Sequence, residues 1–168
     1  MVPIQVYSDA ESSIISCDYR EDDDYHICID TERNLVLRRI NANKDDLLFK
    51  NNLDDKAVNY VGLNKVKINE YFVASNKKLY IYDVRNNNVI NTYDKIGKIC
   101  FSINDNVNKL FYTNEKVALY KVMENTELNC IKEWKDLGEV TSGMFYNGED
   151  NKIICVGNEN GDFYYSFL

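Results

Sequence analysis

Histidine, tryptophan and proline each occur once in this 168-residue sequence, and glycine only seven times. Each scarcity closes off some chemistry. With His26 the sole imidazole, Ser–His–Asp or Cys–His catalysis would have to run through it. It stands beside Tyr25 at the start of a strand-like run, a setting that points to a structural or solvated histidine. With so few glycines, no phosphate-cradling loop is present. No Cys-x-x-Cys pair occurs, and the five cysteines, Cys17, Cys28, Cys100, Cys130 and Cys155, are odd in number and widely spaced. Four have apolar neighbours, as in Ile27-Cys28-Ile29 and Ile154-Cys155-Val156, and Cys17 follows Ile14-Ile15. They are expected to be small buried hydrophobes in a reducing compartment, not disulfides or metal ligands.

No apolar run approaches the ~20 residues of a transmembrane helix. Met1-Val2-Pro3-Ile4-Gln5-Val6-Tyr7 carries no basic region and no signal-peptide core. No Asn-x-Ser/Thr sequon is present despite abundant Asn. An intracellular protein, cytoplasmic or nuclear, is the expectation. The formal net charge of −7 repels phosphate backbones. The short basic pairs Arg38-Arg39 and Lys77-Lys78 offer neither a nucleic-acid track nor an anchor for an anionic membrane. Neither partner is expected.

What is abundant is tyrosine, with 13 copies beside 7 Phe in a chain that is 45% hydrophobic. Tyrosine suits a half-buried pleated surface, whereas alanine, which long helices prefer, is scarce. Four segments share one pattern of apolar strand, tight polar turn and second apolar strand. They are Tyr25–Ile29 with Leu35–Ile40, Tyr71–Ala74 with Leu79–Val84, Lys109–Tyr112 with Val117–Val122, and Lys152–Val156 with Asp162–Phe167. Their starts are 46, 38 and 43 residues apart, near the ~40–45 of a propeller blade. Flanking strands are expected upstream at Ser13–Tyr19, Lys65–Ile68, Lys98–Ile103 and Glu139–Tyr146. Others are expected downstream at Leu47–Phe49, Val89–Tyr93 and Leu128–Trp134. The fourth repeat has no downstream strand. An unpaired edge is a liability, and the spare strand Val2–Tyr7 is expected to pair with Asp162–Phe167 and close the last blade. The fold expected is all-β, propeller-like, with about four blades of four antiparallel strands in a single domain over 1–168.

The segment Leu79-Tyr80-Ile81-Tyr82-Asp83-Val84 resembles the strand of WD-repeat proteins that ends in Trp-Asp, with Tyr82 in place of Trp. The loop Gly157-Asn158-Glu159-Asn160-Gly161-Asp162 is similar to the Gly-rich hairpin turn of such blades. The pattern covers nearly the whole chain, although no Gly-His dipeptide occurs and only the second repeat keeps Asp after the aromatic. Four blades leave several routes to a ring: closure alone, pairing with a second copy as a homodimer, completion by a partner, or membership of a larger propeller. The resemblance also implies a partner motif. Tyr82-Asp83-Val84-Arg85 is similar to the Trp-Asp-x-Arg box by which some WD-repeat proteins dock onto a cullin-ligase adaptor through the Arg. The plainer reading is that Asp83 satisfies a turn while Arg85 is solvated.

Other motifs carry less. Glu21-Asp22-Asp23-Asp24 reads as a solvated hairpin tip sooner than a cation or basic-partner site. An EF-hand reading of Asn158–Asp162 places Val156 and Phe167 at ligand positions, and neither can coordinate calcium. Asn86-Asn87-Asn88 fits a loop tolerant of left-handed backbone. Trp134, at the end of an outer strand, is the strongest hot-spot candidate if it is exposed. No catalytic residue, metal ligand or cofactor site is singled out, so no enzyme is expected. The function expected is a protein–protein interaction scaffold or adaptor, with Trp134, Asp83 and Arg85 as its partner-binding candidates. The alternatives are an incomplete propeller completed by a partner, and a small-molecule binder or enzyme using the channel.

Overall fold

Alternating apolar residues broken by Asn- and Asp-rich turns produce antiparallel hairpins, and among the described residues every regular element is a strand. The computed structural model describes residues 12–20, 24–41, 44–55, 57–64, 67–75, 78–94, 99–102, 108–112, 116–122, 128–147 and 152–167. Blade 1 is β1 (Ile14–Arg20), β2 (Tyr25–Asp30), β3 (Asn34–Asn41) and β4 (Lys44–Asn52). Blade 2 is β5 (Val58–Leu63), β6 (Glu70–Ser75), β7 (Lys78–Asp83) and β8 (Val89–Asp94). Blade 3 is β9 (Ile99–Ser102), β10 (Asn108–Tyr112), β11 (Lys116–Val122) and β12 (Leu128–Lys135). Blade 4 is β13 (Val140–Asn147), β14 (Lys152–Asn158) and β15 (Phe163–Phe167). Within each sheet the strands pair antiparallel in chain order, the meander of a propeller blade. This is the all-β, propeller-like fold expected from the repeats. The strand proposed at Val2–Tyr7 lies outside the described residues, among which blade 4 has three strands.

One expected strand is wrong. The sequence pattern puts the first strand of blade 2 at Lys65–Ile68, whereas that strand is Val58–Leu63; Lys67 and Ile68 lie in a turn, and Lys65 and Val66 lie outside the described residues. The side chain of Asn64 decides the matter. It accepts the N–H of Lys67 at 3.2 Å, while Glu70 N–H donates to the Lys67 carbonyl at 3.0 Å. The chain therefore turns at 67–69, where the apolar spacing looked extended.

The innermost strands touch in succession, β1 with β5, β5 with β9 and β9 with β13. Among the described residues β13 makes no comparable contact with β1. Blades 1 and 2 are sewn together by every second side chain of β1. Ser16 Oγ accepts Val61 N–H at 3.1 Å, and Asp18 Oδ2 accepts Leu63 N–H at 2.8 Å. Arg20 donates to the carbonyls of Asn64 at 2.5 Å and Ile68 at 2.6 Å.

Beneath this seam Ile27, Ile29, Leu35 and Leu37 of blade 1 pack with Val61, Leu63, Tyr71 and Val73 of blade 2. Each fully buried aliphatic side chain contributes about 1.5–3 kcal/mol. All six residues of β6 are buried, as expected of a strand covered on both faces. Phe72, Ala74, Leu79 and Ile81 line its other face, where β9 lies against β5 and β6.

Of the five cysteines expected in the core, Cys28 is buried, and the side chain of Cys100 lies outside what the structure describes. Cys17 and Cys130 are exposed and Cys155 is partly buried. Strand parity is the reason: Cys17 alternates with Ser16 and Asp18, which take the side facing blade 2, so it points the other way.

Candidate protein-interaction surface

The last residue of the second strand recurs as a turn-maker in three blades. Asp30 accepts the N–H groups of Glu32 and Asn34, both at 2.9 Å, and the Asn34 amide at 2.9 Å. Ser75 Oγ accepts Lys78 N–H at 3.2 Å. Asn158 Oδ1 accepts the N–H groups of Asn160 at 3.1 Å and Asp162 at 2.8 Å. All three are buried. These turns brace the loops at one end of those three blades, the base that recognition loops need. The signal for them in the sequence was weak, because a different polar residue fills the place in each repeat.

Trp134 lies partly buried on β12, packed on Val117, Leu119, Val140, Ile154 and Val156 at the seam of blades 3 and 4. Its ring forms one wall of a cavity of about 120 Å³ between those blades, with Leu137, Tyr164 and Tyr165 among the other walls. Lys132 Nζ sits 5.1 Å from the ring centroid and donates to Ser166 Oγ at 3.1 Å, tying the outer strands of the two blades. Trp134 is thus both core and surface: it packs on the apolar cluster and, with several of the same residues, walls an apolar groove.

Asp83 and Arg85 lie elsewhere, at the β7–β8 turn of blade 2, beside a second cavity shared with Lys67, Glu70 and Ile90. The carboxylate of Asp83 receives the N–H of Arg85 at 2.8 Å, its Nε at 3.0 Å and its NH2 at 2.5 Å. This bidentate pair holds the Asp83 carboxyl down to about 2. Arg85 is folded back on the turn, while its side chain remains 69% exposed. Asn87, in the Asn86–Asn88 loop, takes φ 57°, the left-handed backbone foreseen there. The structure therefore does not gather the three candidates into one site. Trp134 belongs to the groove of blades 3 and 4, and Asp83 with Arg85 to the turn of blade 2.

His26 is half-buried on β2, opposite Tyr19 and Arg38. Burial and the Arg38 charge lower its pKa against the opposing pull of Asp18. Of the acidic tip, Asp24 is described, with φ 58°, and Glu21, Asp22 and Asp23 lie outside the described residues. Among the described residues no group of three or more His, Cys, Asp or Glu side chains is placed to hold a metal.

No family model matches the chain, and no curated protein matches it. Among solved structures, the chain is similar to Sqt1 of Saccharomyces cerevisiae, with a TM-score of 0.69 and 9% sequence identity. The match covers 95% of this chain and 49% of that one. At that identity the likeness speaks to fold: the chain has a WD-repeat-like propeller fold, and it spans about half the length of the protein it resembles.

Proposed function

We propose that this chain is a protein-interaction platform that holds its partner in the apolar groove between blades 3 and 4, with Trp134 as the anchor. The observation that carries this reading is the setting of Trp134, packed against the apolar cluster of blades 3 and 4 and walling, with Leu137 and Tyr164, the cavity beside it. A rigid aromatic wall over an apolar slot suits an incoming bulky apolar side chain, the usual centre of a binding hot spot. The adjoining Lys132 and the exposed Lys135 favour acidic residues flanking that side chain. The Asp83–Arg85 turn is a second, weaker contact, because Arg85 must leave Asp83 to engage a carboxylate. Membership of the WD-repeat family, a single domain over 1–168 and an intracellular setting are part of the same reading. They are supported by the repeat spacing, the propeller likeness and the exposed free cysteines.

The test is affinity capture from source-cell lysate with the native chain, Trp134→Ala and Arg85→Ala, read by quantitative mass spectrometry. The expected result is a stoichiometric protein lost on Trp134→Ala and kept on Arg85→Ala, with all three chains showing the same circular dichroism. An identical set of captured proteins for the native chain and Trp134→Ala sinks the groove reading.

A further inference from the structure

The linker from blade 1 to blade 2, Leu53-Asp54-Asp55, runs past two tyrosines of β7. Tyr80 and Tyr82 are two residues apart on that strand and share one face of the sheet. Their ring centroids are 6.3 Å apart and their planes meet at 48°, an aromatic corner. Together with Asp54, Asp55 and Asn52 they wall a cavity of about 230 Å³ between the two blades. The corner is set in advance of any ligand. Tyr82 stacks on Tyr71, with centroids 5.0 Å apart at 7°, and the fully buried Tyr71 donates its hydroxyl to Asn87 Oδ1. Tyr80 donates its hydroxyl to Asp55 Oδ2 at 2.9 Å, and Asp55 Oδ1 accepts Ala57 N–H at 2.9 Å.

The charge in this cavity is of one sign. Burial raises the Asp55 carboxyl, but hydrogen bonds from Ala57, Tyr80 and Ser75, with the charge of Lys78, outweigh it and hold the group below its ordinary value. Burial, then the charges of Asp55 and Asp54, push the Tyr82 phenol up, so both carboxylates act on that wall. Asp54 is exposed, and among the described residues no ion pair joins it to a cation. Among those residues no cationic side chain lines the cavity. Lys78, the cation felt by Asp55, is paired with Asp94 at 3.6 Å. The amide nitrogen of Asn52 donates to the Glu32 carbonyl and to Asn34 Oδ1, both at 3.0 Å, so its carbonyl oxygen is what Asn52 has to offer a ligand. An aromatic corner, two carboxylates and an amide oxygen thus share one acceptor-rich cavity.

We propose that this cavity binds an alkylguanidinium group, carried by an arginine side chain of a partner or by a small molecule with the same head. The group is planar and always charged, it stacks on aromatic rings, and its fork of N–H donors meets carboxylates two bonds at a time. A quaternary ammonium would suit the rings but has no N–H to give the two carboxylates and the Asn52 oxygen. Rings and carboxylates already held by Tyr71, Asn87 and Ala57 need little ordering when the cation arrives, which favours affinity. The site lies between blades 1 and 2, whereas the groove at Trp134 lies between blades 3 and 4, so neither reading depends on the other.

The test is a titration of the native chain with N-acetylarginine methylamide, followed by amide chemical shifts in proton–nitrogen NMR spectra. Saturable shifts centred on residues 51–58 and 73–82 are expected, with a dissociation constant in the millimolar range or below. Asp54→Asn should weaken binding about tenfold, and Asp54→Lys should abolish it. Asp54 is exposed, so both variants should keep the native spectrum, and either one carries the test should the other disturb folding. Free arginine and agmatine, titrated alongside, separate the sources. Tighter binding of N-acetylarginine methylamide supports a peptide arginine, and tighter binding of agmatine or free arginine supports a small guanidinium ligand. The inference is overturned if no guanidinium gives saturable shifts up to tens of millimolar. It is also overturned if the uncharged isostere N-acetylcitrulline methylamide binds as well, if N-acetyl-trimethyllysine methylamide binds more tightly, or if binding is indifferent to both Asp54 variants. Trp134→Ala should leave these shifts unchanged, which keeps this result separate from that of the groove.

Discussion

The guanidinium of Arg20, at the end of the first strand, donates at 2.5 Å to the backbone carbonyl of Asn64 in the next blade. It reaches the carbonyl of Ile68 at 2.6 Å with a second nitrogen and lies 5.3 Å from the centroid of the Tyr25 ring. Arg20 is 2% and Asn64 0% exposed, so the Asn64 carbonyl has no water to fall back on if the guanidinium is removed, whereas Ile68 is exposed. Leaving a buried acceptor unpaired costs about 1–3 kcal/mol, and the bond to Ile68 is lost with it. Arg20→Met should therefore lower the unfolding free energy by roughly 2–4 kcal/mol, measured by urea denaturation. Arg20→Lys should recover only part of this, because a single ammonium lacks the planar fork that serves two carbonyls. A loss within error of zero for Arg20→Met would show that the seam is held by apolar packing alone.

The Asp83–Arg85 pair sets an acid limit on the blade 2 turn. Hydrogen bonds from Arg85 hold the Asp83 carboxyl at about 2, below the usual carboxylate range. A carboxylate with a depressed folded pKa stabilises the native state above its unfolded value, and that stability is lost as pH falls towards the folded value. The melting temperature should thus decline between about pH 4 and pH 2. In Arg85→Met the part of that decline due to Asp83 should disappear. The slopes of melting temperature against pH for the two chains decide it, and parallel slopes would mean the pair is too exposed to matter.

Much of this architecture could be read from sequence, for a physical reason. Period-two alternation and turn residues are local, and they place β2, β3, β6, β7, β14 and β15 to within a residue or two. One failure was also local in cause. Lys65–Ile68 has strand-like composition, yet the Asn64 side chain captures Lys67 N–H and bends it, and an Asx turn of that kind does not appear in a hydrophobic pattern. The exposure of Cys17 depended on which side of β1 faces blade 2, a question of register between blades. The site was less legible than the fold. Trp134, Asp83 and Arg85 were picked as residue types, but that Trp134 lines an inter-blade groove and Arg85 folds onto Asp83 depends on contacts remote or conformational in origin. Arg20 gave no sign at all, since nothing in Asp18-Tyr19-Arg20 separates a buried arginine from a solvated one.

Tyr80 sets the corresponding limit at alkaline pH. Burial, and then its hydrogen bond to Asp55 at 2.9 Å, push the phenol up to about 12. A raised folded pKa means stability fully present below the unfolded value near 10, and lost as pH rises through the folded value. The native chain should begin to lose stability above about pH 10, with tyrosinate absorbance from Tyr80 delayed beyond that of exposed tyrosines. Tyr80→Phe should remove that delayed component in a spectrophotometric titration. It should also cost about 1–3 kcal/mol at neutral pH, since the bond it deletes is to a charged acceptor. A titration curve unchanged by Tyr80→Phe would refute the assignment.

Asn158 and Asp30 do the same job in blades 4 and 1 with different chemistry, and exchanging their side chains tells the two apart. Asp30 only accepts: its carboxylate takes the N–H groups of Glu32 and Asn34, the Asn34 amide and the Ser12 side chain, and its carbonyl takes Arg33 N–H. Asp30→Asn keeps one acceptor oxygen for the two backbone N–H groups and should cost about 1–2 kcal/mol. Asn158 both accepts and donates, its amide reaching the Leu137 carbonyl at 2.9 Å and the Asp162 carboxylate at 3.0 Å. Asn158→Asp removes both donations and sets a second carboxylate against Asp162, a like-charge contact at a 7% exposed position. It should destabilise more than Asp30→Asn, by roughly 2–4 kcal/mol. The two substitutions change the same atoms in opposite directions, so intrinsic turn preference alone would give similar costs. Thermal melts of both variants at pH 7 separate the accounts: a larger loss for Asn158→Asp supports the donor role, and equal losses would leave Asn158 as a turn former without a hold on Leu137. Because Leu137 also walls the groove beside Trp134, the same substitution should weaken partner capture at temperatures well below its melt.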